Sequence, residues 1–306
     1  MTKHFLRIGT RGSPLALAQA HETRARLMAA HALPEDAFEI VVISTTGDEV
    51  RDRPLSEIGG KGLFTKELEE ALYAGRIDLA VHSMKDVPAQ MPEGLGLAAI
   101  LPREDVRDAF ISFAASDLRS LPQGARLGSS SVRRTAQTLR LRPDLQPAPF
   151  RGNVQTRLQK LKDGVADATF LAAAGLRRLG LADRITSLID INDMLPAVAQ
   201  GAIGIQTTLK AENVKAAVAK IDHAESHHAV SCERGFMAAL DGSCRTPIAG
   251  YAVLKDGVIS FRGEALTLDG VHVFGTTRQG TIVDAERMGR EAGQEVKAKG
   301  GSLIAY

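Results

Sequence analysis

The sequence predicts an α/β protein of three domains, in which two similar α/β lobes precede a small α+β C-terminal domain with a three-stranded antiparallel sheet. Three observations carry this prediction. From Arg7 to Thr207, short Val/Ile/Leu/Ala runs, as at 40–44, 78–83 and 169–173, alternate with helix-period segments, the pattern of α/β layers. A weak repeat recurs inside that stretch. After about Ile221 a helix-like segment runs to Leu240 and gives way to apolar runs parted by Asp-Gly pairs, the strongest short hairpin signal.

Each element has its own signal. Ile8-Gly9-Thr10 reads as a first strand, and Ser13-Pro14 supplies an N-cap and an N1 proline to the helix that follows. Ser131 caps a helix over 132–141 and Asn153 one over 154–162, while Gly75 and Gly164 close helices from the position that glycine favours. The two halves align on these pieces. Ile8-Gly9-Thr10 before the Ser13 cap corresponds to Leu127-Gly128-Ser129 before the Ser131 cap. Likewise Gly75-Arg76-Ile77-Asp78-Leu79-Ala80 corresponds to Gly164-Val165-Ala166-Asp167-Ala168-Thr169. In the third domain, strands are expected at 248–254, 258–268 and 271–274, separated by Asp256-Gly257 and Asp269-Gly270, with a last helix near 285–299.

Composition excludes several classes. With 306 residues and 44% apolar content the chain can bury more than one core. Lys plus Arg number 38 against 36 Asp plus Glu, so overall charge points neither to nucleic acid nor to a membrane. No signal-peptide run or membrane-length apolar stretch occurs, and a cytoplasmic protein is expected. Cys232 and Cys244, the only two cysteines, are too few for a disulfide framework or a structural zinc site; no metal is expected.

Charge is uneven locally. Residues 126–184 hold ten Arg and two Lys against four Asp, an excess of +8. Arg133 and Arg134 follow the Ser131 cap in a first helical turn, where a cation opposes the helix dipole and an anion is favoured, so their placement makes sense if an anion docks. Gly128-Ser129-Ser130-Ser131 and Arg151-Gly152-Asn153 with Arg157 offer hydroxyls, helix-start N–H groups and bidentate guanidiniums to carboxylates. A solvated basic face explains the cluster as well, and nucleic acid less well, since the chain has three Tyr and no Trp.

In the first half, Gly9-Thr10-Arg11-Gly12-Ser13, Thr46-Gly47-Asp48 and Gly59-Gly60-Lys61-Gly62-Leu63-Phe64 match neither a P-loop nor a dinucleotide fingerprint. Alone, each is more often an ordinary turn. Ser83, Lys85 and Asp86 follow an apolar strand at its carboxyl end, where open α/β sheets bind ligands, although Lys beside Asp is also an ordinary surface pair. His82 reads as a packed strand residue. Cys244 in Asp241-Gly242-Ser243-Cys244-Arg245-Thr246-Pro247 is a loop thiol beside a cation, either a nucleophile or a plain free cysteine. Cys232 falls in the preceding helical pattern and reads as core.

In order and over nearly the whole chain, these segments resemble the porphobilinogen deaminase family. The resemblance rests on Thr10-Arg11-Gly12-Ser13-Pro14-Leu15-Ala16-Leu17, Gly60-Lys61-Gly62-Leu63-Phe64-Thr65-Lys66-Glu67, Val81-His82-Ser83-Met84-Lys85-Asp86-Val87-Pro88, Ser130-Ser131-Val132-Arg133-Arg134, Phe150-Arg151-Gly152-Asn153-Val154 and Leu195-Pro196-Ala197-Val198-Ala199-Gln200-Gly201. Departures are modest: Ser243, Arg245 and Thr246 stand around Cys244 where Gly, Gln and Val are commoner, and Gln206 stands where an acidic residue is frequent.

The resemblance implies two lobes like those of a type II periplasmic binding protein, with the active site between them, and a third domain carrying a cofactor cysteine. It implies domain 1 at 1–101 and 198–218, domain 2 at 102–197 and domain 3 at 219–306. The implied cofactor is a dipyrromethane joined to Cys244 by a thioether. Onto it the family adds four porphobilinogen molecules, each losing ammonia, and releases hydroxymethylbilane by hydrolysis. Asp86 matches the catalytic carboxylate. Matching cofactor positions are Thr46, Asp48, Ser83, Lys85, Ser129, Ser130, Ser131, Arg133, Arg134, Gly152 and Arg157; matching substrate positions are Arg11, Ser13, Lys61, Phe64, Arg151, Arg178 and Gln200. A monomer is implied, with porphobilinogen as substrate and uroporphyrinogen-III synthase receiving the product. The main rival from another class is a non-catalytic two-lobed anion receptor, which explains the arginines but not the third domain.

Overall fold

The computed structural model describes residues 4–49, 62–241 and 246–304. Along the chain run β1 (Leu6–Arg11), α1 (Pro14–His31), β2 (Phe38–Ile43), α2 (Thr46–Glu49), α3 (Lys66–Tyr73), β3 (Leu79–Ser83), β4 (Leu95–Ile100) and β5 (Asp108–Ser112). Next come β6 (Arg126–Gly128), α4 (Val132–Leu141), β7 (Gln146–Ala148), α5 (Val154–Lys162), β8 (Ala168–Ala172), α6 (Ala173–Arg178), β9 (Ser187–Leu188) and β10 (Ile203–Thr208). Then follow α7 (Glu212–Ala219), α8 (Ala224–Ala239), β11 (Ile248–Lys255), β12 (Val258–Leu266), β13 (Val273–Thr281) and α9 (Ala285–Gly300). The described chain divides into two compact units, one from residues 4–49, 62–104 and 202–227, the other from 105–201, 228–241 and 246–304.

The first unit holds a sheet in the order β2-β1-β3-β10-β4. β1 pairs in parallel with β2 and β3, and β10 runs antiparallel to β3 and β4. Alternation along the strands fills both faces. Ile8, Leu79, Val81, Ile203 and Ile205 pack with Leu27 of α1 and Val218 of α7, whereas Ala80 and Ile77 pack on the other side with Leu68 and Leu72 of α3. Each buried Val, Leu or Ile among these contributes about 1.5–3 kcal/mol.

The second unit repeats that winding. Its sheet order is β7-β6-β8-β5-β9, with β6 parallel to β7 and β8, and with β5 antiparallel to β8 and β9. In each lobe one antiparallel strand is contributed from a distant part of the sequence. The correspondence extends to single bonds. Asp78 accepts from the Arg7 backbone N–H at 2.7 Å and from its guanidinium, and Asp167 does the same with Arg126, also at 2.7 Å to the backbone. Gly9 is paired with Ala80 where Gly128 is paired with Thr169, so the repeat read from sequence is a structural one.

The third sheet, β11-β12-β13, is an antiparallel meander within the second unit. Its first hairpin turns through Asp256 (φ 51°) and Gly257 (φ 77°), positive at both central positions as a type I′ turn demands. The rings of Phe236 on α8 and Phe261 on β12 lie 5.1 Å apart. α8 and α9 touch through glycine: a Cβ on Gly289 would fall 1.9 Å from the carbonyl oxygen of Cys232. Among the described residues no helix is long and apolar enough to cross a membrane.

Candidate functional site

In the first unit, β1, β2 and β3 run parallel as neighbours, so their carboxyl ends share one sheet edge. That edge collects the residues singled out from sequence. Arg11 ends β1, and its guanidinium lies 4.2 Å from the centre of the Phe64 ring, a cation–π contact. Ser13 caps α1 by accepting from Ala16 N–H. Thr46 begins the short α2 and donates to Glu67 from both its N–H (2.9 Å) and its hydroxyl (2.5 Å). Burial opposes the Glu67 charge, but these two bonds outweigh it and hold the carboxyl below its usual pKa.

β3 ends at Ser83, whose hydroxyl exchanges hydrogen bonds with the Gln19 side chain on α1 (2.7 and 3.0 Å). The chain then turns through a single 3₁₀ turn, Met84–Asp86, that buries Met84 and exposes Lys85 and Asp86. Met84 is seated tightly, since a Cβ on Gly204 of β10 would lie 2.0 Å from its sulfur. A packed anchor thus fixes the turn that presents Asp86. Behind it His82 is buried, with Nε2 2.8 Å from the Gln206 side-chain oxygen, which agrees with its reading as a packed strand residue.

In the second unit, the carboxyl ends of β6, β7 and β8 carry the arginine-rich group. Ser131 caps α4, accepting from Arg134 N–H, and Ser129 accepts from Ser131 N–H at 3.2 Å. Ser130 accepts from the N–H of buried Phe150 at 3.1 Å, tying the serine loop to the start of the next one. Asn153 caps α5, taking the Thr156 N–H at 2.9 Å. Gly152 holds φ 125°, and its carbonyl accepts from Arg157 Nε at 2.9 Å while the Arg151 carbonyl accepts from Lys160 at 3.1 Å. Arg151 Nη1 is buried and has no hydrogen-bond acceptor among the described residues. Arg178 donates to the Gly201 carbonyl at 3.0 Å.

Arg133 and Arg134 turn inward, at 5% and 6% exposure, onto Asp108, which is fully buried. Arg134 reaches Oδ1 at 2.6 Å through Nη2 and 3.0 Å through Nε, and Arg133 Nη2 lies 2.8 Å from Oδ2. Where the sequence placed an external carboxylate, the chain supplies one of its own. Burial penalises the Asp108 charge, yet the two guanidiniums prevail and hold it far below the usual carboxylate range. Gln200, also buried, donates to Asp108 at 3.1 Å and to the Val106 carbonyl at 2.7 Å. Arg140 of the same helix lies 3.5 Å from Glu264. Three guanidiniums of α4 therefore face two carboxylates.

Lys61 and Cys244 lie outside the described residues, as does the side chain of Asp48. Sequence reasoning missed Asp108 and Gln19. Asp108 did leave a signal: it opens the apolar strand Asp108-Ala109-Phe110-Ile111-Ser112, and a carboxylate in such a run needs a buried partner.

Comparison with known proteins gives two family matches, to "Porphobilinogen deaminase, dipyromethane cofactor binding domain" over residues 6–216 and to "Porphobilinogen deaminase, C-terminal domain" over residues 227–298. A curated relative, "Porphobilinogen deaminase, chloroplastic" from Oryza sativa subsp. japonica, is 56% identical over 303 residues, 97% of this chain and 84% of the relative. Among solved structures the chain is distantly similar to the Bordetella pertussis BvgS VFT2 domain (16% identity, 71% of this chain and 85% of that one, TM-score 0.41). A TRAP periplasmic solute binding protein from Desulfovibrio salexigens is similar at 10% identity, over 72% and 73% of the two chains, with TM-score 0.43.

Proposed function

The chain belongs to the porphobilinogen deaminase family, and from that premise we propose how its own residues carry out the reaction: head-to-tail condensation of four porphobilinogens, with loss of ammonia, to hydroxymethylbilane. It is a transferase of tetrapyrrole biosynthesis, and the family's cofactor is a dipyrromethane. When bound, that group supplies the pyrrole carbon on which the chain grows.

The residues present fit a carboxylate-rich group. The observation that carries this is Arg151 Nη1, a buried N–H with no acceptor among the described residues, two positions before the Asn153 helix cap, together with the excess of one guanidinium over carboxylates on α4. A buried donor without an acceptor costs about 1–3 kcal/mol, which a carboxylate would recover. Ser129, Ser130, Ser131, Gly152 and Arg157 hold cofactor carboxylates, as do Thr46, Ser83 and Lys85 in the first unit, where Asp48, an acceptor, takes a cofactor N–H, and Cys244 bears the thioether. Arg11, Ser13, Lys61, Phe64, Arg151 and Arg178 serve the incoming substrate, and Gln200, buried with its amide on Asp108, serves it by positioning. Arg133 and Arg134 act through field as much as contact, because Asp108 already takes one face of each.

Asp86 stands exposed at a strand end, on a turn locked by Met84. Its carboxyl group delivers a proton toward the departing amine, and as carboxylate it accepts pyrrole N–H and stabilises the cation left when the C–N bond breaks. Asp86 then takes up the hydrogen ion that the attacking pyrrole α-carbon sheds once the C–C bond has formed. A monomeric state, a cytoplasmic location and delivery of product to uroporphyrinogen-III synthase complete the proposal.

The test is the mass of denatured, reduced protein, with porphobilinogen turnover. Wild type and Cys232→Ser should carry the added mass of a dipyrromethane, mapped to the peptide holding Cys244, and Cys244→Ser should lack it. Asp86→Asn should keep the mass when preassembled cofactor is supplied but lose roughly 10² to 10⁴ in turnover. Absent mass in wild type would return the two-lobed anion receptor to favour.

A further inference from the structure

Glu233 of α8 is fully buried, and both of its carboxylate oxygens accept from backbone: Oε2 from Ala199 N–H at 2.6 Å and Oε1 from Ala252 N–H at 2.8 Å. It therefore joins β11 to the segment before β10. That segment is unusual at Ala199, which holds φ 58°, a left-handed conformation that a residue with a Cβ disfavours. The next residue is Gln200, whose amide reaches Asp108 at 3.1 Å, and Asp108 holds Arg133 and Arg134. Four residues before Ala199, the Leu195 carbonyl accepts from Arg133 at 2.9 Å and from Gln137 at 3.0 Å. The segment is thus bound to the arginine pair at each end and to Glu233 in its middle.

We propose that Glu233 is a positioning residue for pyrrole-carboxylate binding: by holding Ala199 in its left-handed conformation it aims Gln200 at Asp108 and so sets the Arg133 and Arg134 guanidiniums. The inference rests on the reading above that this arginine group receives pyrrole carboxylates. It differs from a role in packing alone, which would work through Ala252 and be indifferent to the conformation of Ala199.

Steady-state kinetics of holoenzyme with porphobilinogen separate the two. Glu233→Gln keeps the size of the side chain but sets an NH₂ against one of the two N–H groups. Its KM should rise about tenfold, the equivalent of one lost hold on the segment, with kcat within about threefold. Glycine adopts the left-handed region without a Cβ penalty, so Ala199→Gly in the Glu233→Gln background should recover most of that loss. If Glu233→Gln does not fold, Ala199→Val, with Glu233 intact, should raise KM in the same way because a β-branched residue resists positive φ. An unchanged KM in Glu233→Gln or in Ala199→Val, or a raised KM that glycine does not recover, overturns the proposal. Wild type without turnover or dipyrromethane mass would overturn the functional reading and this proposal together, whereas an active wild type with an indifferent Glu233 overturns only the latter.

Discussion

Asp108 shows how one carboxylate can be ionised with no exposure at all: two guanidiniums pair with it and the Gln200 amide donates to it, all within 3.1 Å. Its pKa is held below the unfolded value of about 3.9. The stability it confers is therefore fully present above roughly pH 5 and is lost as pH falls below about 4 toward the folded value. Asp105, Asp144 and Asp167 are also held low, so the contribution of Asp108 is isolated by difference. Urea unfolding of wild type between about pH 7 and 3 should lose stability more steeply than Asp108→Asn, which starts lower because two buried guanidiniums lose their counter-ion. Parallel pH profiles would show that Asp108 titrates alike folded and unfolded. At this scale the sequence revealed what is local. Ser13, Ser131 and Asn153 are caps because each bonds a residue three positions on. The inward turn of Arg133 and Arg134 was hidden, since their partner lies 26 positions from Arg134 and no short pattern joins them.

At the scale of elements, glycine spacing decides how closely α8 and α9 approach. Gly289 and Gly293 lie one turn apart on α9, and added Cβ atoms would fall 1.9 Å from the Cys232 carbonyl and 2.6 Å from that of Phe236. Because backbone rather than a flexible side chain is struck, Gly289→Ala must separate the helices and disturb the Phe236–Phe261 contact. Thermal unfolding should show a loss of about 1–3 kcal/mol, the usual cost of overpacking, despite the better helix propensity of alanine; a rise in Tm would mean that the helices can part freely. The sequence placed α9 and the Asp256-Gly257 turn well because both signals are periodic or local. It ended the third strand at Phe274, whereas β13 runs to Thr281. β13 is an edge strand whose Thr277, Gln279 and Thr281 are exposed, so apolar patterning had little to mark there.

Across the whole molecule, the repeat was legible because the same glycine, aspartate and strand motif builds each lobe, while the ties of the third sheet were not, being made by residues far apart in sequence. The Pro196 carbonyl accepts from Gly250 of β11 at 3.0 Å, Arg262 of β12 reaches Asn192 at 3.1 Å, and Arg140 of α4 pairs with Glu264. Gly270, beyond β12, comes so near α4 that a Cβ would lie 2.1 Å from the Ala136 carbonyl. These bonds join the third sheet to the lobe of β5 to β9 inside one compact unit. Segments linked by many buried contacts open together, so the expectation is a shared unfolding step. Native-state hydrogen exchange should give the buried amides of Phe261 and Ala265 on β12 the same opening free energy, within about 1 kcal/mol, as those of Phe110 on β5 and Phe170 on β8. Glu264→Gln, which weakens the tie to Arg140, should lower both groups in parallel. Should the β12 amides exchange through a much cheaper opening while those of β8 stay protected, the third sheet is an independent folding unit and its contacts with the lobe are surface apposition.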